Sequence, residues 1–183
     1  MIPSEEEAIA LHRKYGSNGI IINHCRTVSR VAIALAEGLR DSGKKLDLDV
    51  IRAAALLHDI GRSKTRAVSH GEEGAEILMK EGLDNRVVQA VRCHVGAGIS
   101  LEEARSMGLP GHDYIPRTLE ERIVCFADKM VGSDKLMSFN DEVERFTRKK
   151  HDVYRLLELK NGLHRELGQD PEKFVLDKLK ESQ

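Results

Sequence analysis

Ala53-Ala54-Ala55-Leu56-Leu57-His58-Asp59-Ile60-Gly61 is the stretch from which the rest of the chain can be interpreted. Its apolar residues lead directly into an adjacent imidazole and carboxylate, and a glycine follows. An apolar run of this kind is usually buried, and a carboxylate at its end costs several kcal/mol unless a partner satisfies it. A divalent metal can satisfy both groups, because neutral imidazole and carboxylate oxygen are ordinary ligands of such ions. The alternative is a plain helix C-terminus, at which His58 favours the helix dipole and Asp59 lies in solvent.

Length and composition restrict the class of protein. The 183 residues suit one domain, expected over 1–183, with a full hydrophobic core. Apolar residues make up 40% and charged residues 32%, and the net charge is −1, which favours a globular chain without a basic field for nucleic acid or membrane. No apolar run is long enough to cross a membrane. The three cysteines form no CxxC pair and indicate reduced thiols in a cytoplasmic protein.

Composition and periodicity together predict an all-α fold. Aromatic residues are only 4% of the chain, whereas strong helix formers abound. Gly61 is expected in the left-handed conformation that follows a helix, and Ser69 is expected as an N-cap that leaves His70 near an exposed helix end. The expected helices run over about 4–14, from 17 or 18 to 41, over 48–60, 69–82, 85–95 and 101–106 and from 118 onwards, with two or three more over 140–181.

Two segments have less definite patterns. Residues 96–118 are rich in glycine and proline, and a segment of this kind is typical of a lid or binding loop. Its polar residues His112, Tyr114 and Arg117 are either functional side chains of that loop or surface residues without a specific role. The amphipathic helices of 140–181, the last of which is expected to begin at Pro171, indicate packing against the core and no chemistry.

Four histidines and two aspartates lie mostly on apolar helix faces or at helix ends. His24 is one turn before Val28 on a buried stripe, for example, and Asp128 interrupts an apolar run. A single histidine of this kind is more often a core residue than a ligand. Helix bundles, however, build metal sites from inward-facing side chains on separate helices. The six residues are His24, His58, Asp59, His70, His94 and Asp128.

The order and local context of these residues resemble the HD-domain superfamily of metal-dependent phosphohydrolases, in its His-Asp-Ile-Gly (HDIG) branch. His58-Asp59-Ile60-Gly61 matches the signature of that branch, and His24 and Asp128 resemble its first histidine and its final aspartate. His70 and His94 resemble the two further histidines of members that bind two metals. The whole sequence is also similar to a small archaeal group of HDIG proteins.

The resemblance implies an HD-domain-like orthogonal helical bundle with additional C-terminal helices. Its core would span about 20–131, and a helical extension would span about 140–181. It also implies one or two divalent ions, and the nitrogen and oxygen ligands suit Mn, Fe, Co, Ni or Mg. The first ion would be held by His24, His58, Asp59 and Asp128, and the second by Asp59, His70 and His94.

The implied activity is hydrolysis of a phosphoester or phosphoanhydride in a nucleotide or related small molecule, by attack of a metal-bound hydroxide. Beside the catalytic Asp59, the residues expected to neutralise phosphate charge are Arg62, Lys64 and Lys129, with Arg26 as a weaker candidate. The expected partner is a small phosphorylated molecule, rather than a membrane or nucleic acid, and the oligomeric state is open, a dimer included. Two alternatives keep the fold: a di-iron oxygenase and a non-enzymatic nucleotide-sensing module.

Overall fold

Residues 1–181, which the computed structural model describes, form ten α-helices and one short 3-10 turn, and they contain no β-strand. The all-α prediction is therefore confirmed. None of these helices is both long and apolar enough to cross a membrane. The helices are α1 (Glu5–Lys14), α2 (Gly19–Asp41), α3 (Leu48–Leu57), α4 (His70–Lys80), α5 (Asn85–Arg92), α6 (Leu101–Ser106), α7 (Leu119–Lys129), α8 (Phe139–Arg148), α9 (Val153–Leu167) and α10 (Pro171–Glu181).

Capping groups place several of the helix starts where the sequence predicts them. Ser4 and Glu7 form a capping box at the start of α1, in which each side chain bonds the backbone N–H of the other residue. Thr118 and Glu121 do the same at the start of α7. These bonds satisfy N–H groups that have no partner within a helix. Helix α10 begins at Pro171, as predicted.

Helix α3 is the central element of the bundle. All of its residues from Ala53 to Leu57 are buried, and it packs against α1, α2, α5 and α7. Burial on every side explains why this part of the helix is apolar all round. Helix α4 packs against α5, and α9 and α10 close the core against α7 and α2. The C-terminal end of α3 is thus enclosed by other helices.

The end of α3 differs from the prediction. The helix stops at Leu57 and not at Ile60, and Ile60–Ser63 forms a separate 3-10 turn. Gly61 does not adopt the predicted left-handed conformation. Its backbone instead approaches α4 so closely that a Cβ atom would lie 2.0 Å from the carbonyl oxygen of His70 and 2.5 Å from the amide nitrogen of Gly74. The glycine is required by this close approach, and the turn it allows carries Asp59 off the helix.

Two further predictions at helix ends are wrong. Ser69 has helical backbone angles and makes no capping hydrogen bond, and His70 is buried, with only 4% of its surface exposed. Close packing of the turn around Gly61 covers this helix end. Helix α5 ends at Arg92, so that His94 lies in the turn beyond it. Gly96, at a φ of 62°, takes the chain away from the helix axis.

Candidate metal centre

The six predicted ligand residues converge at the end of α3, although they come from five parts of the chain. His58 and Asp59 follow α3 directly, whereas His24 lies on α2 and Asp128 on α7. His70 is the first residue of α4, and His94 lies just beyond α5. His58 is fully buried, and the side chains of His24 and Asp128 are 12% and 17% exposed. The arrangement is a partly enclosed cluster of imidazoles and carboxylates.

Three of the imidazole rings are held by the same kind of hydrogen bond. In each, Nδ1 bonds a backbone carbonyl oxygen three residues earlier, and the carbonyl can only accept. The proton is therefore on Nδ1, and Nε2 of the neutral ring carries a lone pair. Such a bond fixes the ring of a metal-binding histidine in many proteins. The three bonds are His58 to Ala55 (2.8 Å), His70 to Ala67 (2.8 Å) and His94 to Val91 (2.7 Å).

The free ring nitrogens face one another in pairs. Nε2 of His24 lies 3.2 Å from Nε2 of His58, and Nε2 of His70 lies 3.1 Å from Nε2 of His94. In the second pair both Nε2 atoms carry a lone pair, and two lone pairs at this distance repel each other unless a proton or a metal ion lies with them. Burial favours neutral His58, yet the neighbouring Cys25 and Asp59 outweigh it and raise the pKa of His58 well above its usual range. Burial lowers the pKa of His94 to about 4.

The two carboxylate oxygens of Asp59 face different histidine pairs. Oδ1 lies 3.3 Å from Nε2 of His70 and 3.5 Å from Nε2 of His94. Oδ2 lies 4.0 Å from Nε2 of His24 and 3.8 Å from Nε2 of His58. Burial opposes ionisation, but the positive charge of His58 and the nearby imidazoles of His70 and His94 outweigh it and hold the pKa of Asp59 well below its usual range. Asp59 is thus an anion shared by both pairs.

Asp128 completes one half of the cluster. Its Oδ1 lies 3.1 Å from Nε2 of His24 and 3.4 Å from Nε2 of His58. Its Oδ2 accepts a hydrogen bond from the buried Lys129, which also donates to the carbonyl oxygen of His94 at 3.3 Å. Burial opposes ionisation of Asp128, but Lys129 and the imidazoles overcome it and hold the pKa of this carboxyl well below its usual range. Lys129 therefore ties the two halves of the cluster together.

The donor set fits divalent metal ions. Oδ1 of Asp59 is buried and receives no hydrogen bond within the described part of the chain. An anionic oxygen without a donor is costly in a protein interior, and a cation removes that cost. Three overlapping groups each offer ligand atoms within 4.8 Å of one another: His24 with His58 and Asp59, His58 with His94 and Asp128, and Asp59 with His70 and His94.

The predicted phosphate-binding residues have different positions. Nε of Arg62 donates to Oδ2 of Asp59 at 2.5 Å, and both Arg62 and Lys129 line a cleft that contains the centre. Lys64 is exposed and lies outside the lining of that cleft. Arg26 pairs with Glu5 at 3.5 Å on another face. Of these four residues, only Arg62 and Lys129 line the cleft that contains the centre.

The glycine-rich loop contributes to the cleft through a part that the sequence did not single out. Residues 96–99 line it, together with Met107. The polar residues His112, Tyr114 and Arg117 are absent from the lining. Tyr114 is buried in a small apolar cluster, and Arg117 pairs with Asp113.

The C-terminal helices also line this cleft, which has a volume of about 590 Å³. The expectation that they carry no role beyond packing does not match their position. Basic residues around the turn between α8 and α9 face the same space as the histidine cluster. The run Arg148-Lys149-Lys150-His151 is the sequence signal that could have drawn attention to them. The lining residues from this region are Arg145, Phe146, Lys149, Lys150, His151, Asp152 and Arg155.

Comparison with known proteins identifies a matching family model and several relatives. The family model described as HD domain matches residues 21–131. The chain is 39% identical over 144 residues to an uncharacterized protein of Methanocaldococcus jannaschii, covering 79% of this chain and 85% of that protein. It is 38% identical over 172 residues to a tRNA (cytidine(56)-2'-O)-methyltransferase of Thermoplasma volcanium, covering 93% of this chain. The chain spans about half the length of that methyltransferase, 49%.

More distant similarity extends to a nuclease and to a solved structure. The chain is 36% identical over 139 residues to ribonuclease Y of Pseudothermotoga lettingae, of which it covers 25%. Its fold is similar to that of the HD domain of the L. monocytogenes phosphodiesterase PgpH in complex with cyclic-di-AMP. That comparison gives a TM-score of 0.53 at 17% sequence identity and covers 93% of each chain.

Proposed function

The chain belongs to the HD-domain family, and from this premise we propose that it is a metal-dependent phosphohydrolase acting on a nucleotide or a related small phosphorylated molecule. The carrying observation is the environment of Asp59, whose Oδ1 is buried without a hydrogen-bond donor among the described residues. We propose that one ion is held by His24, His58, Asp59 and Asp128, and a second by Asp59, His70 and His94. Ions bound there would supply Lewis acidity and lower the pKa of a bound water.

The residues around the proposed ligands suit an anionic substrate. Arg62 bonds Asp59 through Nε, and its remaining guanidinium N–H groups are available to a phosphoryl oxygen in the cleft. Arginine binds such oxygens with paired hydrogen bonds. Lys129 is buried and holds Asp128 and the His94 carbonyl, so that its role is to position the ligands and to add positive charge beneath the substrate. The proposed hydrolysis does not depend on a serine or cysteine nucleophile.

The relatives support the nucleotide part of the proposal. Ribonuclease Y is named for cleavage of RNA, and PgpH is a phosphodiesterase whose HD domain is seen with cyclic-di-AMP. Both names concern phosphodiesters of nucleotides. In the methyltransferase of Thermoplasma volcanium the chain covers only 49% of the protein, so its methyl transfer is not assigned to this chain.

The test is release of phosphate, or cleavage of a phosphodiester, from a panel of nucleotides and dinucleotides with Mn, Co, Ni or Mg added. We expect turnover by the native protein and a loss of at least about a hundredfold in His58→Ala and Asp59→Ala. His164→Ala is the matched control, because His164 is exposed on α9 and lies outside the cleft. Absence of turnover across the panel with metal bound would contradict the proposal.

The same protein preparation distinguishes the hydrolase from the oxygenase alternative. A di-iron centre that activates oxygen requires iron and gives a redox-dependent spectrum. The hydrolase retains activity with a redox-inactive ion such as Mg and without oxygen.

A further inference from the structure

We propose that the basic turn between α8 and α9 binds a second phosphate of the substrate, one nucleotide away from the phosphate that is cleaved. The proposal rests on the phosphohydrolase function and deepens it by naming the substrate class. That class is a nucleotide strand of at least two linked units, such as a 5′-phosphorylated dinucleotide.

The first step is position. The cleft that contains Asp59, His70 and Asp128 extends to Lys149 and Lys150, which lie in its lining. Its volume of about 590 Å³ lies within the range of sites that bind small ligands. A single phosphate fills only a small part of such a space. The remaining part therefore sets which group accompanies the reacting phosphate.

The second step is the charge of this turn. Arg145 donates to Glu142 at 2.6 Å, and Arg155 bonds Glu103 at 2.9 Å, so both arginines are already paired. Lys149 and Lys150 differ from them, because no carboxylate within residues 1–181 pairs with either. Lys149 and Lys150 are adjacent in sequence and both line the cleft, so their unpaired positive charges favour an anionic group there.

The third step is the backbone of Lys150. Its φ is 56°, and every other residue with positive φ in the described chain is a glycine. The amide nitrogen of Lys150 bonds the carbonyl oxygen of Thr147 at 3.1 Å, and that of His151 bonds Phe146 at 2.9 Å, which together end α8 in a Schellman motif. Glycine suits this position best, because a side chain is strained there. The lysine is thus not explained by the turn, and its charge supplies a reason for it.

The fourth step is the apolar part of the cleft lining. Exposed apolar side chains lie at the rim of the same cleft: Ile20 is 70% exposed and Met107 is 50% exposed. Isolated exposed apolar residues are ordinary, but two at the mouth of a polar cleft offer a surface for a nucleobase. The cleft therefore combines a metal centre, an apolar rim and a basic end.

The experiment is a binding cycle between two ligands and two proteins. The ligands are a dinucleotide with a 5′-phosphate and the same dinucleotide without it, both with a phosphorothioate linkage that slows cleavage. The metal-loaded native protein should bind the first about tenfold more tightly than the second, as expected for one charge-assisted contact. In the double variant Lys149→Gln, Lys150→Gln this ratio should fall to about one. Calorimetry measures all four dissociation constants.

Two further variants serve as controls for this experiment. Arg148→Gln removes a neighbouring charge on α8 that lies outside the cleft lining, and it should keep the native ratio. Lys150→Gly should lower the ratio without lowering the midpoint of thermal unfolding, because glycine is unstrained at that φ. A ratio of one in the native protein, or a native ratio in the double variant, would overturn the proposal. If the protein cleaves its substrate but does not show this dependence on the 5′-phosphate and the two lysines, only the proposed second phosphate site is refuted. If it shows the dependence but no turnover, only the phosphohydrolase function is refuted.

Discussion

Replacing Gly61 by alanine tests how the 3-10 turn positions the proposed metal ligands. A Cβ at Gly61 would lie 2.0 Å from the carbonyl oxygen of His70, whereas real Cβ contacts are essentially never under 3.0 Å. The turn and the start of α4 must therefore separate by at least about 1 Å. Both contacting atoms are backbone, so no side chain can rotate to relieve the contact. Overpacking of this kind costs about 3 kcal/mol.

The expected results concern stability and metal content together. For a chain of this size, a loss of about 3 kcal/mol lowers the midpoint of thermal unfolding by about 6 to 12 °C. Because His70 moves with α4, its Nε2 leaves its position 3.3 Å from Oδ1 of Asp59. The second ion should then bind about 10- to 100-fold more weakly, while the first is retained. Calorimetric titration with Mn or Co separates the two ions.

The matched control is Gly19→Ala at the start of α2. A Cβ at Gly19 would meet nothing within 4 Å, and its φ is not positive. This variant should unfold at the native temperature or slightly above it, since alanine is the better helix former. If Gly61→Ala matches Gly19→Ala in unfolding temperature and binds two ions with native affinity, the role assigned to the turn is refuted.

Three other perturbations have defined outcomes. The raised pKa of His58 means that a metal ion must displace its proton, so metal affinity should rise with pH by up to about tenfold per unit. The metal-free protein should lose the contribution of His58 to stability as the pH rises above about 6.5. Titration calorimetry and thermal melts from pH 6 to 8 measure the two effects. Arg92→Leu leaves Glu72 buried without the 2.9 Å partner it has now, and urea unfolding should show a loss of about 3 to 5 kcal/mol. His12→Phe removes the bond from Nε2 to the buried carbonyl of Leu56, at 2.8 Å, and should cost about 1 to 3 kcal/mol in the same assay with metal binding kept.

Local sequence signals were sufficient for most of the fold. Helix α2 begins after Asn18 and ends before Ser42, as its polar boundary residues predict, and α6 has the predicted bounds. The buried imidazole and carboxylate of His58 and Asp59 could also be recognised, because an apolar run leads into them. These features depend on neighbours in the chain, which a single sequence displays directly.

Features created by contacts between distant segments could not be predicted in the same way. His70 is buried because Gly61 and Gly71 allow other backbone segments to approach; a Cβ at Gly71 would lie 2.8 Å from the carbonyl oxygen of Arg92. Sequence periodicity contains no record of such contacts. The same reason explains Lys64, which is near Asp59 in sequence but outside the cleft, and Lys149, which is far in sequence but lines it.

Metal stoichiometry of the native protein and of Asp59→Asn tests the central claim most directly. Oδ1 and Oδ2 of Asp59 face different histidine pairs, so one substitution affects both proposed ions. Protein purified without chelator and titrated with Mn should bind two ions per chain, and Asp59→Asn should bind neither with comparable affinity while keeping its helical circular dichroism. A native protein that binds no divalent ion, or an Asp59→Asn protein that still binds two, would contradict the account.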